Sequence, residues 1–84
     1  MAKVVIYSTH SCPYCVRARR LLDAKGVSYD EVRVDLDPHL RGYMEQKSQR
    51  RSVPQIFIDE YHVGGFEDMW KLDQSGELDA LLGT

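Results

Sequence analysis

The only two cysteines of the chain, Cys12 and Cys15, enclose Pro13 and Tyr14 and lie shortly after the apolar run 4–7 (VVIY). Two thiols with two residues between them can close an intramolecular disulfide if the backbone holds them close together. In a chain with no evident export signal, such a pair between a strand and a helix indicates redox chemistry rather than a structural disulfide. The spacing therefore predicts a site of thiol–disulfide exchange.

The two cysteines are not expected to be equivalent. Cys12 falls at the N-cap of a helix that begins at Pro13, where free backbone N–H groups hydrogen-bond a thiolate better than a thiol. Cys15 lies one turn into the helix, on the side of Ala18 and Leu22, and should be shielded. We therefore predict that Cys12 attacks and that Cys15 resolves the mixed disulfide that forms.

Other interpretations of the cysteines are weaker. They could be core residues without chemistry, but the intervening proline and the strand-to-helix position argue against this. A zinc site needs four ligands, and no two of the histidines His10, His39 and His62 have the spacing of a zinc finger. We expect a solvated His39, a surface position for His62, and no metal.

The elements that position the cysteines follow from the periodicity of apolar residues. The run 4–7 predicts a strand in a sheet covered on both faces. A helix is predicted from about Pro13 to Lys25, ended by Gly26, and a second strand is predicted over Val27–Val34. A strand, a helix and a strand of these lengths are typical of a right-handed βαβ unit.

The second half of the chain predicts a helix, a hairpin and a helix. Asp37 and Pro38 mark a helix start. The segments 55–58 and 61–63 predict an antiparallel hairpin, and the Gly-Gly pair after it precedes a helix and a last amphipathic turn or two. The prediction is an α/β fold in one domain covering residues 1–84, with the order βαβ, α, ββ, α.

The composition restricts the function classes. Eighty-four residues suffice for one core, and 43% hydrophobic and 29% charged residues are ordinary for a soluble globular protein. A formal net charge of −2 gives no electrostatic reason to expect nucleic acid as a partner. The apolar N-terminal stretch is too short for a signal peptide, and no run reaches membrane length. We expect a cytoplasmic protein without a membrane partner.

Two further features lie far from the cysteines in sequence. Val53 and Pro54 precede a strand, and proline at strand entry often marks a turn, sometimes with a cis bond. Gly64 and Gly65 precede a helix N-terminus, where exposed amides attract an anion. Taken alone, that helix start is explained more simply by ordinary capping with the acidic residues that follow.

Together these segments resemble the glutaredoxins, over nearly the whole chain. The resemblance is carried by residues 12–15 (CPYC), 52–54 (SVP) and 64–68 (GGFED). Three motifs in this order and at these separations are very specific, and the small bacterial dithiol glutaredoxins are the most similar. The resemblance implies a thioredoxin-like fold with a four-stranded mixed sheet (βαβ, then ββα) flanked by helices, and a cis bond before Pro54.

The resemblance also implies that glutathione lies across the site as an extended strand. Its cysteinyl part would pair with the backbone of Val53, and its glycyl carboxylate would meet Arg50. Its γ-glutamyl carboxylate would meet the amides of Phe66 and Glu67, and its ammonium would face Asp68. The residues implied to bind glutathione are Tyr14, Arg50, Ser52, Val53, Pro54, Phe66, Glu67 and Asp68.

One departure from the family pattern has an implied consequence. Thr9 stands where many members carry a lysine three residues before the nucleophile. Activation of Cys12 is then expected to depend more on the helix amides and on Arg17. The glycyl end of glutathione is expected to depend more on Arg50 or Arg51.

The implied function is a glutathione-dependent thiol–disulfide oxidoreductase, with glutathione as reducing co-substrate. Protein–glutathione mixed disulfides would be reduced through Cys12 alone, and protein disulfides through Cys12 and Cys15 together. The implied partners are glutathionylated and disulfide-containing proteins, with ribonucleotide reductase as an open candidate. We expect the chain to be a monomer.

Two other functions stay open at the level of sequence. One is an iron–sulfur carrier, in which two chains and two glutathiones hold a cluster through Cys12; relatives of this kind mostly lack Pro13 or the second cysteine. The other is a thioredoxin-like protein reduced by thioredoxin reductase, against which the segments 12–15 and 64–68 argue.

Overall fold

Four strands and four helices make up the computed structural model of the chain, which describes residues 2–83. The strands are β1 (Val4–Ser8), β2 (Asp30–Arg33), β3 (Gln55–Ile58) and β4 (Tyr61–Gly64). The helices are α1 (Pro13–Ala24), α2 (Pro38–Ser48), α3 (Phe66–Ser75) and α4 (Glu77–Leu82). None of the helices within residues 2–83 combines the length and the apolar character needed to cross a bilayer.

The strands form one mixed sheet in the order β2-β1-β3-β4. β1 is parallel to β2 and antiparallel to β3, and β3 is antiparallel to β4. The predicted four-stranded mixed sheet and the predicted order of elements are confirmed. α3 and α4 are separated at Gly76, whose φ of 82° is left-handed, a conformation that glycine adopts without steric cost.

β2 is shorter than the predicted strand Val27–Val34. Its pairing with β1 begins only at Asp30, which lies opposite Val5. Val27 lies in the turn that follows α1, where its N–H donates to the carbonyl oxygen of Leu22 over 3.5 Å. Apolar residues before Asp30 alternate with polar ones because they pack against the core from a loop. Alternation alone does not distinguish such a loop from a strand.

Alternate residues of the central strands point to opposite faces of the sheet and build two core clusters. On one face, Ile6 and Ile56 pack in a cluster that includes residues of α1, α3 and α4. On the other face, Tyr7 and Phe57 pack with Met44 of α2. The helices therefore cover both faces of the sheet.

The sheet topology brings the distant motifs together at one edge. β1 and β3 are antiparallel, with Tyr7 near the end of β1 opposite Gln55 at the start of β3. The loop that follows β1 and carries Cys12 therefore meets the loop that precedes β3 and carries Pro54. The start of α3 follows β4, the neighbour of β3, and lies at the same edge.

Candidate active site

Cys12 is the N-cap residue of α1, as predicted. Its backbone is extended (φ −124°, ψ 105°), and the backbone N–H of Cys15 donates to Cys12 Sγ over 3.2 Å. Pro13 at the first helical position lacks an N–H that would have no partner there anyway. The partly exposed sulfur therefore faces an amide donor that favours a thiolate.

Cys15 is fully buried, with 0% of its surface exposed. Burial and, to a smaller extent, the hydrogen bond with the Cys12 side chain raise the pKa of the Cys15 thiol to about 12, against the opposing effect of a hydrogen bond from the Thr9 backbone. Both cysteines are free thiols in this structure. The predicted shielding of Cys15 is confirmed, and at neutral pH this sulfur keeps its proton.

The loop before β3 reaches the nucleophilic sulfur. Cys12 Sγ donates to the carbonyl oxygen of Val53 over 3.7 Å. The peptide bond between Val53 and Pro54 is cis, as the resemblance implied, and Pro54 is buried. The backbone of Val53 therefore lies directly beside the position where a disulfide would be attacked.

The N-terminus of α3 is built around Asp68. Its Oδ2 accepts from the N–H of Gly65 over 2.9 Å and from Arg50 Nη1 over 2.8 Å. The Arg50 guanidinium, and then the Gly65 N–H, hold the pKa of the Asp68 carboxyl below its usual range. A side chain at Gly64 would collide with the Asp68 carboxylate and lie 3.0 Å from Arg50 Nη1, and its φ of 110° also favours glycine.

A cleft of about 320 Å³ lies between these elements. Its lining comprises Gly65 and all eight residues that the resemblance assigned to glutathione: Tyr14, Arg50, Ser52, Val53, Pro54, Phe66, Glu67 and Asp68. This volume is at the lower end of the range typical of small-molecule sites. The structure therefore brings the implied binding residues together beside Cys12, and their individual contacts with glutathione stay predictions.

Three arginines have partners that the sequence did not reveal. Arg50, expected at the glycyl carboxylate, pairs with Asp68. The Arg17 guanidinium lies 5.3 Å from the centre of the half-exposed Tyr14 ring, and the Arg51 carbonyl accepts from Arg41 over 3.1 Å. The implied roles of Arg17 and Arg51 stay predictions.

Sequence reasoning missed Gln55 and His62. Gln55 is fully buried, and His62 Nε2 lies 2.7 Å from Gln55 Oε1. The expectation of a surface position for His62 is wrong, because its half-buried ring stacks on Phe57 with the ring centres 4.8 Å apart. The available signal was a glutamine that begins an otherwise apolar strand.

Within residues 2–83, no three His, Cys, Asp or Glu side chains group as a metal site.

Comparisons with known proteins agree with this geometry. The family model named Glutaredoxin matches residues 4–63. A glutaredoxin of Neisseria meningitidis serogroup A is 54% identical over 83 residues, which cover 98% of each chain. Glutaredoxin 3 of Escherichia coli K12 is 50% identical over 82 residues, covering 98% of this chain and 99% of that one.

Solved structures give the same result. The solution structure of glutaredoxin from Brucella melitensis has a TM-score of 0.87 and 45% identity, covering 98% of this chain and 89% of that one. A crystal structure of a buckwheat glutaredoxin–glutathione complex has a TM-score of 0.90 and 27% identity, covering 98% of this chain and 77% of that one. The predicted thioredoxin-like fold is confirmed.

Proposed function

The chain belongs to the glutaredoxin family, the glutathione-dependent thiol–disulfide oxidoreductases, and we propose that it reduces mixed disulfides between proteins and glutathione. The observation that carries the proposal is the cleft beside Cys12, lined by all eight residues implied to bind glutathione. Protein disulfides are a second substrate class, which requires Cys15 as well.

The reduction of a mixed disulfide needs Cys12 alone. The Cys12 thiolate attacks the glutathione sulfur, the disulfide bond of the substrate breaks, and the protein leaves as a thiolate that takes up a proton. The thiolate of a second glutathione attacks the glutathione sulfur of the Cys12 adduct, which yields oxidised glutathione and restores the Cys12 thiolate. The amide of Cys15, 3.2 Å from Cys12 Sγ, supports the first step because it stabilises the nucleophile.

The reduction of a protein disulfide uses both sulfurs. Cys12 attacks one client sulfur and forms a mixed disulfide, while the client disulfide bond breaks and its other sulfur leaves as a thiolate that takes up a proton. Cys15 then loses its proton and attacks Cys12 Sγ, and the bond between Cys12 and the client breaks, which releases the second client thiol. Two glutathiones reduce the resulting Cys12–Cys15 disulfide. Because Cys15 is buried and its pKa is raised to about 12, its attack requires loss of a tightly held proton. The route through Cys12 alone avoids that step.

The charged pair at the start of α3 supports glutathione recognition. Glutathione carries an ammonium on its γ-glutamyl group and a carboxylate at its glycyl end, and Asp68 and Arg50 offer one charge of each complementary sign within 2.8 Å of each other. In the free protein the two side chains neutralise one another, so a zwitterionic ligand can exchange partners with them without leaving a charge unpaired. Ribonucleotide reductase, the monomeric state and a cytoplasmic location stay predictions.

A glutathione-coupled assay with a glutathionylated peptide tests the proposal. We expect Cys12→Ser to abolish turnover, because it removes the nucleophile, and Cys15→Ser to retain it. With a protein disulfide as substrate, we expect both variants to lose most of their activity. The two serine variants serve as matched controls, since they make the same atomic change one helical turn apart.

Substantial turnover by Cys12→Ser would overturn the assignment of the nucleophile. Equal rates on glutathionylated and cysteinylated versions of the same peptide would overturn glutathione recognition. The iron–sulfur alternative stays a prediction of the resemblance, and anaerobic purification with a visible absorption spectrum checks it.

A further inference from the structure

Gln55 connects β4 with the loop that lies beside the nucleophile. Its Nε2 donates to the Ser52 carbonyl over 3.0 Å and to the Ser52 hydroxyl over 3.3 Å, while its Oε1 faces His62 Nε2 at 2.7 Å. We propose that Gln55 and His62 are positioning residues that hold the Ser52–Val53 loop in its substrate-binding conformation. The proposal rests on the proposed function, in which the backbone of Val53 pairs with glutathione.

The directions of the hydrogen bonds among His62, Gln55 and Ser52 follow from chemistry. A carbonyl oxygen can only accept, so the Gln55 atom that faces the Ser52 carbonyl is the amide nitrogen. The amide oxygen of Gln55 therefore faces His62, and Nε2 of that imidazole must carry a proton to donate. Hydrogen-bond donation therefore has one direction, from His62 to Gln55 and from Gln55 to Ser52.

The burial of Gln55 makes this arrangement specific. A fully buried amide is tolerated only where its donor and acceptor groups find partners, and within residues 2–83 the Gln55 side chain finds them in Ser52 and His62. Gln55 is also fixed at the backbone, because it pairs with Tyr7 in the sheet. Its side chain therefore ties the loop to a rigid strand rather than to another loop.

The tie matters because the same loop contacts the reacting sulfur. Val53 follows Ser52 directly, and its carbonyl oxygen lies 3.7 Å from Cys12 Sγ. A displacement of the loop would misplace the Val53 backbone that pairs with glutathione in the proposed function, while Cys12 keeps its place at the N-cap of α1. The side-chain bonds to Ser52 restrict the residue that directly precedes Val53.

His62 is suited to a constant rather than a switching role. Burial and the nearby Arg50 lower its pKa, while Asp68 raises it, and the Lys47 ammonium lies 4.6 Å from the centre of the Phe57 ring on which His62 stacks. The pKa of His62 is lowered on balance, which favours the neutral ring at physiological pH. Because Nε2 carries a proton in both the neutral and the charged form, the bond to Gln55 persists through protonation.

Replacing the donor while keeping the ring tests the proposal. His62→Phe preserves an aromatic ring on Phe57 but leaves the Gln55 amide oxygen without a partner, and we expect KM for the glutathionylated peptide to rise about tenfold. We expect kcat, the rate at which iodoacetamide alkylates Cys12, and the rate with a small disulfide that lacks glutathione to stay close to those of the wild type. His62→Gln restores a donor and should restore KM. Tyr61→Phe, a neighbouring exposed position on β4, is the matched control.

An unchanged KM in a folded His62→Phe protein would overturn the positioning role. A parallel fall of turnover, alkylation rate and thermal stability would also overturn it, because that pattern indicates general loss of structure. Gln55→Met gives the second test, with the same expected selective rise in KM if circular dichroism shows a native fold. Failure of the proposed function is distinguishable, because the wild type would then show no preference for the glutathionylated peptide.

Discussion

Two helices begin at the candidate active site, and their N-termini use backbone amides differently. At α1, the Cys15 amide donates to the sulfur of Cys12, whereas at α3 the Gly65 amide donates to the carboxylate of Asp68. The sulfur belongs to a partly exposed free thiol, while the carboxylate is already paired with Arg50. In the proposed function, the first terminus activates an atom for reaction and the second holds charges for recognition.

The largest effect expected at the α1 terminus is the difference in reactivity between its two thiols. An ordinary exposed thiol is a few per cent ionised at about pH 7, whereas the buried Cys15, with its pKa raised to about 12, is almost entirely protonated. We expect iodoacetamide to modify Cys12 in the Cys15→Ser protein at least about a thousandfold faster than it modifies Cys15 in the Cys12→Ser protein. Mass spectrometry of timed samples measures both rates.

Comparable alkylation rates for the two variants would contradict the prediction, since they would show that the two thiols are equivalent. Repeating the reaction in denaturant provides the control. Unfolding exposes both sulfurs to solvent, and the two rates should then converge.

The buried thiol also predicts how stability changes at high pH. The pKa of Cys15 is raised in the folded protein, so its stabilising contribution is complete below the unfolded pKa of about 8.5 and is lost as pH rises towards about 12. At about pH 10.5 we expect the reduced protein to have lost on the order of 2 kcal/mol through this group. Urea unfolding of the wild type and of Cys15→Ala across pH 8 to 11 measures this loss as a difference between the slopes of unfolding free energy against pH.

Tyrosines also titrate in that range, and burial raises the pKa of Tyr7 and Tyr29. They are common to both proteins, so subtracting the two slopes removes them. Identical pH dependences of the wild type and Cys15→Ala would show that Cys15 is not held as a buried thiol.

The α1 terminus could be predicted from sequence because its parts are neighbours. The N-cap position, the proline at the first turn and the burial of the second sulfur all follow from residues of a single helix, between Cys12 and Leu22. The pairing of Arg50 with Asp68 could not be predicted this way, because the two residues lie 18 positions apart and approach only through the packing of α3 beside the loop before β3. The same holds for Gln55 and His62, whose bond depends on the register of β3 and β4.

The length of the second strand shows a different limit. Alternating residues from position 27 predicted extension, but the pairing edge of β1 offers partners only from Asp30 onward. Apolar alternation reports which side chains are buried, and it does not report whether the backbone has a strand beside it. The grouping of the cleft residues was predicted through the resemblance, since three short motifs define where a ligand lies only if their spatial relation is already known.

At the α3 terminus, the expected effect on substrate binding is smaller than the difference between the thiols. Asp68→Asn removes the charge that would face the ammonium of glutathione, and we expect KM for the glutathionylated peptide to rise about tenfold with kcat nearly unchanged. Steady-state kinetics with varied peptide measures both values. Asp59→Asn makes the same change in charge in the turn at the far end of β3, at a left-handed φ of 53° that asparagine accepts.

A fall in kcat with KM unchanged in Asp68→Asn would show that Asp68 acts in the reaction and not in substrate binding. The two helix termini would then no longer differ in role. A similar rise in KM for Asp59→Asn would indicate a general effect of net charge. The rate with a small disulfide that lacks glutathione should be the same for both variants and the wild type.

The smallest effect concerns the stability of the charged pair itself. Hydrogen bonding to Arg50 lowers the pKa of Asp68, so its contribution is present above the unfolded pKa of about 3.9 and is lost as pH falls through the lower folded pKa. The Asp68 side chain is 41% exposed, and solvent screening limits the contribution to a few tenths of a kcal/mol. Urea unfolding at intervals between about pH 6 and 3 should give a flatter acid slope for Asp68→Asn than for the wild type, and about 1 M salt should narrow the difference. Arg50→Gln should flatten the acid slope for the same reason. A wild-type slope in that variant would mean that the Gly65 amide alone holds the carboxylate. The start of α3 would then depend only on contacts within its own helix, as the start of α1 does.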